Sequence, residues 1–113
     1  MSKNVQHKSL AAGRWNELSL VEQMANVGSE VERAIRWKEK GNASYSEQAF
    51  FRALELLDFT LDDPKNRRRG LKEIARVREA LVDFFAGNNA FHSSASDWSK
   101  YFLSFAFAAR KDR

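Results

Sequence analysis

The 113-residue sequence has no cysteine, a single proline and only two histidines. Without cysteine there is no disulfide framework, no thiolate metal site and no cysteine nucleophile. No apolar run approaches the roughly 18 residues that a membrane span needs. The N-terminal MSKNVQHKSLAAGRW also lacks the apolar core of roughly 7–15 residues that marks a secretory signal. The expectation is a soluble cytoplasmic protein with no membrane contact. Apolar and polar residues nowhere alternate at period two, so no sheet is expected. HExxH, a P-loop, GxGxxG and the Glu-x-x-His pairs of di-iron bundles are all missing. His7 lies near the terminus and His92 among turn formers. No catalytic constellation results, and neither enzyme activity, a cofactor nor a metal is expected.

What is present suits a folded globule: 43% hydrophobic and 12% aromatic residues, with 30% charged and a net charge of +4. A chain of this length is one domain, here residues 1–113 with 1–18 as an N-terminal arm. Ser19 followed by Glu22 is a capping box, in which each side chain satisfies a free backbone N–H of the first helical turn. Leu20, Met24, Val27, Val31, Ala34 and Ile35 then recur on one stripe, and Gly41-Asn42 suits a left-handed helix end. Ser44 with Glu47 predicts a second capping box, opening a helix with Ala49, Phe50, Ala53, Leu54, Leu57 and Leu61 on its apolar face. Asp62-Asp63-Pro64 ends that helix, because the residue before proline disfavours helical geometry. Asp63 is then the expected N-cap of a third helix running to Gly87, with Gly70 inside it at a cost of about 1 kcal/mol relative to alanine. A fourth helix is expected from about Ser96, with Trp98, Tyr101, Phe102 and Phe105 on one side. Four such helices with short connections predict an all-α, up-down-up-down four-helix bundle.

Charge concentrates in the third of these. From Lys65 to Glu79 seven basic residues face two acids, a local excess larger than the charge of the whole chain. On one continuous helix Lys65, Arg68, Arg69, Lys72 and Arg76 share a face, at spacing that phosphates of a nucleic acid or another polyanion would neutralise. No aromatic is interleaved to stack on bases. Arg78 is a separate case. It falls between Ile74, Leu81 and Val82 on the apolar stripe, so it is expected either in a buried or half-buried ion pair or as an anion anchor, with Glu30, Glu55 and Asp58 the carboxylates within reach. Phe51 and Phe59 on the second helix and Leu103 and Phe107 on the fourth exceed what one core can hold. They predict either a cover for the N-terminal arm with Trp15 or an interface, in a homo-oligomer or with a protein partner.

In size and helix count the chain resembles the HEPN and S23-type four-helix bundles of prokaryotes. The tracts AAGRW (Ala11–Trp15), ANVGSEV (Ala25–Val31) and RALELLD (Arg52–Asp58) also look like those of small prokaryotic helical proteins. The resemblance implies an accessory nucleic-acid binder or the partner of a nucleotidyltransferase. It does not extend to the HEPN ribonuclease motif, which needs an arginine four to six residues before a histidine. Ala86, Gly87 and Asn88 hold those positions ahead of His92.

Overall fold

A computed structural model describes residues 13–68 and 70–111. Met1–Ala12 of the N-terminal arm, Arg69, Asp112 and Arg113 lie outside the described residues. Within them the chain is all-helical, with no strand. A helical turn at 13–15 precedes α1 (Leu20–Glu39), α2 (Ala43–Asp62), a single 3-10 turn (Pro64–Asn66), α3 (Leu71–Ala86) and α4 (Ala95–Lys111).

The ends of α1 follow from local sequence. Ser19 Oγ accepts from Glu22 N at 3.1 Å while Glu22 Oε1 accepts from Ser19 N at 3.0 Å, closing the capping box. At the other end Gly41 takes φ +80°. Its N–H donates to Lys38 O and that of Asn42 to Trp37 O, the paired bonds of a Schellman turn. That turn moves the start of α2. Asn42 caps it, its side chain accepting from Tyr45 N at 3.0 Å, so the helix begins ahead of Ser44 and the expected Ser44–Glu47 box does not form. A box that sequence reading missed opens α4: Ser94 Oγ accepts from Asp97 N at 3.0 Å and Asp97 Oδ2 from Ser94 N at 3.2 Å.

α1 is the central element, packed closely along both α2 and α4. Met24, Val27, Val31 and Ala34 on α1 are buried with Ala53 and Leu57 on α2, Leu81 on α3 and Phe102 on α4. Ser46 Oγ donates to Ala34 O at 2.7 Å across the α1–α2 seam. The α1–α4 crossing is closer still. A Cβ placed on Gly28 would lie 2.6 Å from Phe102 Cβ, so only glycine allows this approach. α3 rests on α2 through Phe85 against Phe50, their ring centroids 5.0 Å apart. It meets α4 where Tyr101 donates its hydroxyl to Glu73 Oε2 at 2.7 Å. No helix among the described residues is long and apolar enough to cross a membrane.

The expected third helix is divided in two. Asp63 does act as an N-cap, but of the 3-10 turn, where Oδ1 accepts from Lys65 N at 3.1 Å. The α-helix proper starts only after Gly70, whose φ of +74° lies in the left-handed region that glycine enters without penalty. Residues 65 and 72 therefore do not share a helix. The five-cation face expected of a continuous helix is corrected on this ground.

Candidate anion-binding surface

What holds the basic segment in place is a buried polar knot at the end of α2. Gln23, Thr60, Asp63 and Asn66 are all at most 2% exposed, beside Trp15 at 8%. Gln23 Nε2 donates to Trp15 O at 3.0 Å and to Asp63 Oδ2 at 2.8 Å. Asn66 Nδ2 donates to Gln23 Oε1 and to Thr60 O, each at 2.9 Å, and Trp15 Nε1 donates to Thr60 Oγ1 at 3.0 Å. Buried polar groups are tolerable when each has a partner, and such a network then fixes one arrangement. Here it ties the N-terminal turn, α1, α2 and the 3-10 turn together, and so sets where the chain leaves Asn66 for the arginines.

Lys65 belongs to this knot rather than to a free surface. Its ammonium bonds Asp63 Oδ2 and donates to Asn16 O at 3.0 Å. Burial raises the pKa of the Asp63 carboxyl. The bonds from the Lys65 ammonium, Gln23 and the Lys65 N–H outweigh that effect and hold it below its ordinary value. Of the other expected polyanion contacts, Arg69 lies outside the described residues. Arg68 is exposed in the turn before Gly70, and Lys72 and Arg76 are exposed on α3. Arg67, also exposed, caps the 3-10 turn and joins them. None of Arg67, Arg68, Lys72 and Arg76 makes an ion pair among the described residues.

The break at Gly70 also creates a new feature. Gly70 has no side chain to cap α3, so no side-chain bond satisfies the first N–H groups of that helix. The positive end of the helix dipole thus opens with Arg67 and Arg68 just before it in the chain and Lys72 in its first turn, while Arg76 lies further along α3, an arrangement of like sign that favours anionic groups. The acid of the first turn, Glu73, accepts from Tyr101 on α4 and lines a cavity there together with Arg76. That bond and the burial of the ring together raise the Tyr101 hydroxyl well above its ordinary value, burial being the larger cause.

Arg78 sits elsewhere. The core face of α3 runs through Ile74, Val77 and Leu81. Val77 and Arg78 fit the spacing equally well, and the valine takes the buried place. Arg78 lies at the edge, its side chain 36% exposed, with Nε donating to Asp58 Oδ1 at 2.8 Å and Nη2 to Oδ2 at 3.4 Å. It is a half-buried fork to Asp58 on α2, with Nε and one Nη2 donor occupied by the carboxylate. Phe51, Leu103 and Phe107 are 56%, 50% and 60% exposed, whereas Phe59 packs in part against the core. His92 is exposed in the α3–α4 loop. Asp83 there accepts from the N–H groups of Ala90 and Phe91, and His92 itself donates its N–H to Asn89 O. No cluster of three or more His, Cys, Asp or Glu able to hold a metal occurs among the described residues.

No family model, curated protein or solved structure matches the chain. The functional reading therefore rests on its own residues.

Proposed function

We propose that this chain is a non-enzymatic binding module that presents a basic surface to nucleic acid or another polyanion, in the manner of a cytoplasmic accessory protein. The observation that carries the reading is that Arg67, Arg68, Lys72 and Arg76, in the short run of chain that spans the uncapped start of α3, are exposed and without ion pairs among the described residues. The up-down-up-down four-helix bundle belongs to the same proposal. It is supported by the end of α1 meeting the start of α2, Ala34 with Ser46, and by side-chain bonds that join α2 to α3, Asp58 with Arg78, and α3 to α4, Glu73 with Tyr101.

Four phosphate contacts give a log–log salt slope of about −3 to −4 on duplex, or an affinity loss of about a hundredfold between 50 and 200 mM salt. Filter binding to mixed RNA and DNA tests this. Replacing Arg68 and Lys72 by glutamine is expected to flatten the slope by about two units, while Arg78→Gln, which removes a cation already held by Asp58, leaves it unchanged. Absence of retention at micromolar protein and low salt would sink the reading.

The exposure of Phe51, Leu103 and Phe107 favours a second reading, a protein-interaction subunit or homo-oligomer docked through these side chains. Light scattering decides its oligomeric form, and a monomer at every concentration that captures no partner sets it aside.

A further inference from the structure

Where α1 crosses α4, a groove of about 640 Å³ follows their outer seam. It continues into a cavity of about 260 Å³ that shares Ala25, Ser29 and Ala106 with it and ends at Arg110. The surface sinks there because short side chains recur at helical spacing: Ala25, Gly28 and Ser29 on α1, Ser96, Ser99 and Ala106 on α4. Leu103, half exposed, lies on its edge. The lining is also charged in one sense. Arg33, Arg36, Lys100 and Arg110 border it against one carboxylate, Glu32. Arg33 is 3.6 Å from Glu30 one turn earlier on its own helix, while Arg36 and Lys100 make no ion pair among the described residues.

We propose that this groove docks an acidic amphipathic helix from a partner protein. The partner's apolar side chains seat on the small-residue floor and Leu103, and its carboxylates meet Arg36 and Lys100. Small residues on both flanking helices allow a third helix to approach closely, and the apolar part of the lining, Ala25, Phe102, Leu103 and Ala106, rewards an occupant with apolar side chains to bury. Phosphates would use the cations but leave the floor unfilled, so the groove suits a peptide better than a nucleic acid. Charge complementarity selects the acidic one. The proposal rests on the second reading above and gives its partner a chemistry. It shares no residue with the basic group Arg67, Arg68, Lys72 and Arg76.

The test is fluorescence anisotropy on the full chain with a labelled peptide of about 18 residues, some 27 Å long when helical. Its leucines recur at i, i+3 and i+4 and are flanked by glutamates; a twin carries lysines instead. The glutamate peptide is expected to bind at micromolar concentration and its twin at least about tenfold more weakly. Arg36→Glu with Lys100→Glu is expected to reverse that preference, and Ser99→Trp, which fills the floor, to abolish binding of both with the helical circular dichroism unchanged. Failure to bind at about 100 µM, or binding indifferent to the charge reversal, overturns the proposal. So does a concentration-dependent dimer that Ser99→Trp dissolves, which makes a second copy the occupant. Peptide binding that appears only after deletion of residues 1–12, or RNA retention lost on the charge reversal, likewise overturns it. A partner protein captured through Phe51 without any peptide binding would sink this proposal while leaving the interaction reading standing.

Discussion

Replacing Gln23 by methionine is expected to be far more damaging than its position on a surface-starting helix suggests. The side chain has no solvent exposure. Methionine keeps its length but offers no donor and only a weak acceptor. Three bonds vanish: to Trp15 O at 3.0 Å, to Asp63 Oδ2 at 2.8 Å, and from Asn66 Nδ2 at 2.9 Å. Asp63 keeps Lys65, and Asn66 Nδ2 keeps Thr60 O at 2.9 Å, so each loses only a net bond of about 0.5–1.5 kcal/mol. Trp15 O keeps the Leu18 N–H at 3.0 Å, so it too loses only a net bond of the same size. Together these remove about 1.5–4.5 kcal/mol from a domain whose whole stability is on the order of 5–15 kcal/mol. Urea denaturation followed by far-ultraviolet circular dichroism and by tryptophan fluorescence measures it, with Trp15 reporting on the knot itself. Gln23→Glu is a sharper variant, because it sets a second carboxylate against Asp63 while keeping the shape. It is expected to cost more at neutral pH than Gln23→Met and to recover in acid. A midpoint for Gln23→Met within about 0.5 kcal/mol of the parent at unchanged slope would refute the reasoning that the knot fixes this end of the molecule.

That knot was not legible in the sequence, and the reason is physical. Gln23 and Asn66 are 43 positions apart, and nothing local marks a glutamine within an apolar stripe as one half of a pair. Features set by neighbours within one turn were legible. Ser19 with Glu22 could only cap, and Gly41 ends α1 because the left-handed residue of a Schellman turn tolerates little else. The same logic failed where two local signals competed. Asn42 and Ser44 are both good caps, and the Schellman turn settles the contest by delivering Asn42 first. Gly70 carries an ambiguous signal. Glycine inside a helix costs about 1 kcal/mol relative to alanine, and between an arginine run and an apolar repeat it equally announces a break. The break changes the site itself, since a continuous helix would spread the cations along a face. A helix that restarts at Leu71 instead leaves Arg67 and Arg68 in the turn ahead of an open N-terminus and Lys72 and Arg76 on the helix behind it. For Arg78 the periodicity held a true tie with Val77, which desolvation resolves: burying a guanidinium is costly and burying a valine favourable.

The remaining predictions probe the packing and the two perturbed ionisations. Gly28→Val puts atoms where a Cβ already lies 2.6 Å from Phe102 Cβ and 2.9 Å from its Cγ, so α1 and α4 must separate. A loss of about 1–3 kcal/mol is expected, and a thermal midpoint equal to the parent's would show that the crossing is not close. The pH dependence has a limb on each side. Asp63 is held below its ordinary value of 3.8, so the folded state favours its charged form. That stability is complete above about pH 4 and drains away as pH falls below the unfolded value toward the folded one. Asp63→Asn is expected to flatten the acid limb of the urea midpoint. Tyr101 is raised above its ordinary value of 10.0, so folding favours its neutral hydroxyl. Its contribution is intact below pH 10 and is lost as pH climbs beyond that toward the folded value. Tyr101→Phe removes both the titration and the bond to Glu73, and is expected to lower the midpoint at neutral pH while flattening its alkaline decline. A decline as steep in Tyr101→Phe as in the parent would mean that the α3–α4 contact is not held by this hydroxyl. Glu73 would then be free to oppose an anion at the start of α3, which would weaken the case for that surface.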